Sequence, residues 1–150
     1  MFPDIDDLYT GIGQAIYNQM PDRWTKACLE VLHVEQNYSL IFNEYYFVDD
    51  LRFDFDVTDS NSKEINVSDL FYKLYEFMAR NNEYVPWNKC KFTLYPDGEF
   101  DIEFKLDDDY EWYKSIDVNS KEYDSISVDT IEKIETWEGL PKDFNRFWVK

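Results

Sequence analysis

Trp87-Asn88-Lys89-Cys90-Lys91-Phe92-Thr93-Leu94-Tyr95-Pro96-Asp97-Gly98-Glu99-Phe100-Asp101-Ile102-Glu103-Phe104-Lys105-Leu106 reads as a β-hairpin, and the rest of the chain can be arranged around it. Tyr-Pro-Asp-Gly suits a type I turn: Pro96 presets φ, Asp97 bonds to nearby backbone and Gly98 takes the left-handed conformation. A three-residue loop with a bulge at Gly98 then pairs Tyr95 with Glu99. Counting outward, Leu94 meets Phe100, Phe92 meets Ile102 and Cys90 meets Phe104 on one face. Thr93 meets Asp101 and Lys91 meets Glu103 on the other. One turn assignment thus sorts both strands into an apolar face and an acidic face. Lys89 opposite Lys105 goes against the scheme, and near the open end of the hairpin water is expected to screen that pair.

At 150 residues, one domain spanning 1–150 is expected, able to bury about 70% of its unfolded surface. The 29 aromatic residues (12 Tyr, 12 Phe, 5 Trp) supply a core and argue against disorder, since disordered acidic chains are poor in aromatics. Against 15 Lys and Arg stand 32 Asp and Glu, a formal net charge of −17. Such a surface repels nucleic acid and anionic membranes and attracts basic partners, although acidity can also serve solubility alone. Cys28 and Cys90 have neither metal nor redox spacing and read as buried thiols of a reducing compartment, with pairing open in principle. The N-terminus, Met-Phe-Pro-Asp-Ile-Asp-Asp, lacks the positive charge and apolar run of a signal peptide. No segment approaches the roughly 20 apolar residues of a membrane span. A cytoplasmic, soluble protein is expected.

Along the chain, residues 4–19 form an amphipathic helix, with Ile5, Leu8, Ile12, Ala15 and Ile16 on one stripe and Asp4, Asp6 and Asp7 at its positive end. Gly11 and Gly13 weaken it and make no phosphate loop, because no strand precedes them. Pro21 ends it. Residues 24–35 fit helix or strand by periodicity; Val31, Val34 and the aromatic run that follows favour strand. A second strand covers 38–48, Asp49-Asp50 turns the chain, and Leu51, Phe53, Phe55 and Val57 alternate with Arg52, Asp54 and Asp56 in a third. Residues 59–63 are loop. A helix over 67–80 buries Leu70, Phe71, Leu74, Phe77 and Met78 behind an Asn66 or Ser68 N-cap. Pro86 breaks the chain before the hairpin. Residues 107–125 are acidic and aromatic and lead into a polar loop. A last helix over 128–138, N-capped by Ser127, stops at Gly139-Leu140-Pro141 with Gly139 as the left-handed cap. Phe144, Phe147 and Trp148 pack back on the domain. The order α-β-β-β-α-β-β-α gives an α+β fold, a mainly antiparallel sheet of about five strands with helices packed on it.

Residue types argue against most catalysis. His33 is the single histidine and sits in an alternating stretch, as a structural residue does. No second histidine or Cys-x-x-Cys is present for zinc, and neither a Gly-x-Ser-x-Gly elbow nor a Walker loop occurs. Carboxylates are so abundant that some pair would be close in nearly any fold, so a two-carboxylate hydrolase has no specific signal. Asp54, Asp56 and Asp59, and Asp107-Asp108-Asp109 with Glu111, could be metal ligands. The second set lacks the glycine and alternation of a calcium loop, and solvated acidic faces explain both. No metal and no cofactor is expected.

What remains is where the acid lies. From Asp97 to Glu111 there are eight carboxylates against Lys105 alone. Asp101 and Glu103 project from the polar face of the hairpin, and Asp107, Asp108, Asp109 and Glu111 continue off its end among Tyr110, Trp112 and Tyr113. Rings beside charge suit a protein-binding surface, in which rings supply buried area and carboxylates supply steering. The plainer alternative is a solvated edge with its rings turned inward.

Several features in order resemble the YezG-like family of immunity proteins, antitoxins of polymorphic (contact-dependent or type VII) toxin systems. They are the first helix ending near Met20-Pro21, Trp24 opening the first strand, the aromatic second strand, the helix from Leu70 to Met78, Pro86-Trp87 with Cys90-x-Phe92, Gly98-x-Phe100-x-Ile102-x-Phe104, and Gly139-Leu140-Pro141. The chain departs at Lys105-Leu106, where a tyrosine would follow; Tyr110 is the nearest. The tail from Ile131 to Phe144 also resembles the SUKH superfamily of immunity proteins, whose motif normally lies near the start of the domain. The resemblance implies a non-enzymatic protein that binds and neutralises a cognate secreted toxin, often a nuclease, in a one-to-one complex inside the producing cell. It implies no direct binding to nucleic acid or membrane. Asp54, Asp56, Asp101, Glu103, Asp107, Asp108, Asp109, Glu111 and Trp112 are then the candidate toxin-binding residues. An acidic nucleic-acid mimic that inhibits DNA-binding proteins, or a small carboxylate-dependent enzyme, are the alternatives.

Overall fold

The structure, a computed structural model, describes residues 4–34, 39–57, 67–80 and 87–149. A helix α1 (Ile5–Tyr17) is followed by strands β1 (Lys26–Val34), β2 (Ser39–Val48) and β3 (Leu51–Asp54), helix α2 (Val67–Arg80), strands β4 (Lys89–Leu94) and β5 (Phe100–Lys105), and helices α3 (Asp108–Ser115), α4 (Lys121–Asp124) and α5 (Val128–Ile134). The five strands form one antiparallel sheet in the order β3-β2-β1-β4-β5. The fold is α+β in the expected order, with three short helices in the last helical place.

The hairpin register agrees pair for pair, from Leu94 opposite Phe100 to Lys89 opposite Lys105. Its turn is closed by Gly98 N–H donating to the Tyr95 carbonyl at 3.0 Å and Tyr95 N–H to Glu99 at 2.9 Å, with Gly98 at φ +91°. β1 is a strand, and its place explains why periodicity left it open: it is the central strand, with residues buried on both faces, so apolar residues follow one another. Ala27, Leu29 and Val31 face one way and Cys28, Glu30 and Leu32 the other, and all six are buried.

The first face of the sheet carries Leu29, Val31, Cys90, Phe92 and Leu94 and is sealed by Leu8, Ile12 and Ile16 of α1 with Phe71, Leu74 and Met78 of α2. Asp4 caps α1, its carboxylate accepting from Asp7 N–H at 2.9 Å. Where the helices cross, a Cβ on Gly11 would come within 3.0 Å of Leu70 Cδ1, so this glycine lets α1 and α2 approach. Cys28 and Cys90 are both buried and free, and they lie on opposite faces of the sheet, which rules out a bond between them.

Several expectations need correction. Lys89 is not a screened surface charge; it is 0% exposed. Its Nζ donates to Asp107 Oδ2 at 2.6 Å, to the Ile134 carbonyl at 2.8 Å and to the Thr136 carbonyl at 2.5 Å. The first of these carbonyls is that of the last residue of α5 and the second lies two residues beyond it, so Lys89 caps this end, and the helix stops at Ile134 rather than at residue 138. Gly139 is left-handed (φ +73°) but lies beyond the helix end, and a Cβ there would meet Asp107 Oδ2 at 2.5 Å. Residues 107–125 hold α3 and α4, N-capped by Asp107 and Ser120. The third strand ends at Asp54, and Ser68 lies inside α2 rather than capping it. The readings of residues 59–63, Asn66 and Pro86 fall outside the described residues.

Candidate partner-binding surface

The register lays the second face out as rows. One row runs Asp54, Tyr45, Cys28, Thr93, Asp101 from edge to edge; the next runs Asn43, Glu30, Lys91, Glu103; a third runs Ile41, Leu32, Lys89, Lys105. The third row is roofed by α3 and α5, where Leu32, Tyr110, Ile134 and Leu140 form a second apolar cluster with Trp112, Tyr113, Phe144 and Trp148 around it. Among the described residues, no helix lies over the first two rows. The second face is therefore half covered and half open.

On the open half, Glu30 is buried at the centre and satisfied by its neighbours. Its carboxylate accepts a short hydrogen bond from the Tyr45 hydroxyl and a second from Asn43 Nδ2 at 3.2 Å. Burial and the bond to Glu30 push the Tyr45 hydroxyl well above the ordinary tyrosine pKa. Two cations lie over rings, Arg52 at 3.9 Å from the Tyr45 ring centroid and Lys26 at 5.1 Å from that of Phe47. The acid lies on the borders: Asp54 on the β3 edge and Asp101 and Glu103 on the β5 edge, all exposed. Four strand spacings separate Asp54 from Asp101, about 19 Å. They frame a surface and do not form one cluster. Asp56 is exposed just past β3, and both it and Asp54 add to the burial that raises the pKa of Glu44.

The acidic run of α3 is largely spent inside the chain. Asp107 caps the helix through Oδ1 and holds Lys89 through Oδ2. Asp109 takes a two-pronged bond from Arg146, both contacts 2.9 Å, which ties the tail to α3. Glu111 accepts from Asn88 Nδ2 at 3.0 Å and pairs with Lys114 at 2.8 Å. Trp112 stacks on Trp148 with centroids 3.8 Å apart and donates Nε1–H to Glu122. Asp108 alone of the run is fully on the surface. Lys105, the partner of Lys89 in the ladder, rests 4.3 Å from the Trp137 ring centroid. Burial and the nearby Lys89 lower its pKa.

Where Ile41 meets α3, α4 and α5, a cavity of about 370 Å³ opens, lined by Tyr110, Tyr113, Tyr123 and Glu135 among others. Tyr110, Glu111 and Tyr113 of this cavity stood out in the sequence as rings among acid, whereas Glu30, Tyr45, Ile41, Tyr123 and Glu135 were missed, because they come from separate elements and form no local motif. The tie between Asp107 and the start of α3 did have a local signal, an aspartate followed by two potential first-turn residues and a tyrosine.

Among the described residues, no group of three or more His, Cys, Asp or Glu is placed to hold a metal ion, and no helix is long and apolar enough to cross a membrane. No curated protein matches the chain. The model of a family described as immunity protein YezG-like matches residues 5–146, nearly the whole length. With helix, sheet and helical cap all inside that match, the chain belongs to the YezG-like immunity protein family.

Proposed function

We propose that this immunity protein neutralises a cognate toxin domain, a nuclease with a basic substrate-binding surface, by seating it one-to-one on the open half of the second sheet face. It does so in the cytoplasm of the producing cell and performs no chemistry of its own. The observation that carries this reading is the pairing of an uncovered, internally satisfied sheet surface with acidic borders, on a chain of net charge −17. Asp54, Asp56, Asp101, Glu103 and Asp108 steer and contact the partner. Asp107, Asp109, Glu111 and Trp112 act at one remove, by holding α3 and the tail in place beside it. A sheet face that carries Tyr45 and Phe47 and has carboxylates at its rim has the layout of a protein interface, in which the rim sets the rate of encounter.

The test is co-expression with the cognate toxin domain, followed by purification and stopped-flow association at low and high salt. The expected result is a one-to-one complex whose on-rate falls with salt, and a further fall of roughly tenfold for Asp101→Lys combined with Glu103→Lys. An on-rate indifferent to both salt and charge reversal would refute electrostatic steering. Inhibition of several unrelated DNA-binding proteins would instead point to a general nucleic-acid mimic.

A further inference from the structure

The cavity between Ile41 and the three C-terminal helices has a composition that selects its occupant. At about 370 Å³ it lies near the lower end of the roughly 300–1,000 Å³ of ligand pockets, the scale of one large side chain rather than a cofactor. Its walls are aromatic: Tyr113 and Tyr123 lie nearly parallel, 22° apart with centroids separated by 6.3 Å. The Tyr113 hydroxyl is hydrogen-bonded to Tyr123 and donates to Glu135, and burial with these neighbours pushes its pKa up to about 12.

Two groups are left wanting a ligand. The Tyr110 hydroxyl is buried with no hydrogen-bond partner, in a residue only 2% exposed, and it lies close enough to Glu135, Glu111 and Tyr113 to feel their charge. Glu135 is half-buried, and among the described residues no lysine or arginine forms an ion pair with it. Lys89 is near, but its Nζ is committed to Asp107 and two carbonyls. Lys114, the one cation among the described residues of the cavity wall, is held by Glu111 at 2.8 Å, so these two charges cancel and Glu135 leaves the cavity negative. The rim is apolar and exposed, with Ile41 at 42% and Val118 at 63%.

We infer that this cavity is a socket for an arginine side chain of the protein partner. A planar guanidinium fits against tyrosine faces, donates to the Glu135 carboxylate and offers a further N–H to the Tyr110 oxygen, while its methylene stem lies on Ile41 and Val118. Arginine in a walled pocket is a common energetic anchor of interfaces. Ile41 lines the socket and lies two residues from Asn43 along β2, on the same sheet face as the open half, so one partner can cover both. The inference rests on the toxin-binding reading for the identity of the partner, and on the cavity alone for the chemistry.

Two measurements test it. The isotope-labelled full chain is titrated with N-acetyl-arginine N-methylamide and, separately, with the uncharged citrulline analogue. Saturable shifts are expected at the amides of Ile41, Ser115, Val118 and Tyr123, with affinity roughly tenfold weaker for citrulline and for Glu135→Gln. Equal shifts from both probes, or none, would overturn the socket. Tyr113→Phe, which keeps the ring and removes the bond to Glu135, should weaken the arginine probe less than Glu135→Gln does. In the second measurement Glu135→Gln is tested against the toxin domain, with dissociation expected to speed up about tenfold while the on-rate holds. If the probe binds through Glu135 but dissociation from the toxin is unchanged, the inference falls and the toxin-binding reading stands. If wild type forms no complex at all, that reading falls and the socket loses its partner with it.

Discussion

The two faces of the sheet solve the same burial problem in different ways. The α1/α2 face is dry: Leu29, Val31 and Phe92 are fully buried against two amphipathic helices. The other face is mixed. Its covered half sets a buried lysine among carbonyls and one carboxylate, and its open half buries Glu30 under its own neighbours. An apolar face is stabilised by area alone and tolerates approximate fit. A polar interior is stabilised only when each group has its partner, and it loses much more when one partner is removed. The second face should therefore be the fragile one wherever it is covered, and the tolerant one where it is open.

Lys89 and Lys91 put that contrast to the sharpest test, since they share a strand and a face, two residues apart. Lys89→Ala strands Asp107, whose side chain is only 11% exposed, together with two carbonyls, and should cost roughly 3–5 kcal/mol in urea denaturation. Lys91→Ala, in the row without a helix over it, should cost about 1 kcal/mol or less. Equal losses at the two sites would mean that the helical cap does not isolate Lys89 from water. Next in size is Gly139→Ala, expected to lower stability by about 2 kcal/mol because it combines a positive φ with a clash against Asp107. Since both variants act on the Lys89–Asp107 pair, the double variant should lose less than the two losses added.

Tyr45→Phe probes the open half. Removing its hydroxyl leaves the Glu30 carboxylate short of a donor and should cost about 1–2 kcal/mol in thermal melts; no change would mean that water reaches Glu30 freely. The smallest effect concerns Glu135, whose pKa burial raises above the ordinary 4.5. The folded chain then holds this proton more tightly than the unfolded chain. Its contribution is thus most favourable at low pH and is lost as pH rises from about 4.5 through the folded value. Wild type measured against Glu135→Gln across that window should lose relative stability with rising pH, and a flat difference would contradict the burial argument.

The register of the hairpin could be read in full because its information is local. Gly98 sets the turn, the turn sets the register, and the period of two does the rest. The same locality made Ser127 legible as a helix cap. The candidate surface was legible in part. Asp54, Asp101 and Glu103 do share one face, yet the acidic run of α3 looked like more of the same when Asp107 and Asp109 are in fact consumed by Lys89 and Arg146. A charge count along the chain cannot say which charges already have partners, because those partners lie 18 and 37 residues away.

By itself, then, the order of residues determined the α+β architecture, the register of β4 with β5, the sealed apolar face and the family pattern. Only the tertiary structure decided that Lys89 is interior, where α5 ends, which carboxylates remain exposed, and that three tyrosines and Glu135 wall one cavity. The physical reason is range. Turns, caps and alternation depend on neighbours a few positions apart, whereas burying a charge or shaping a cavity needs groups brought together by the folded sheet and the helices that cover half of one of its faces.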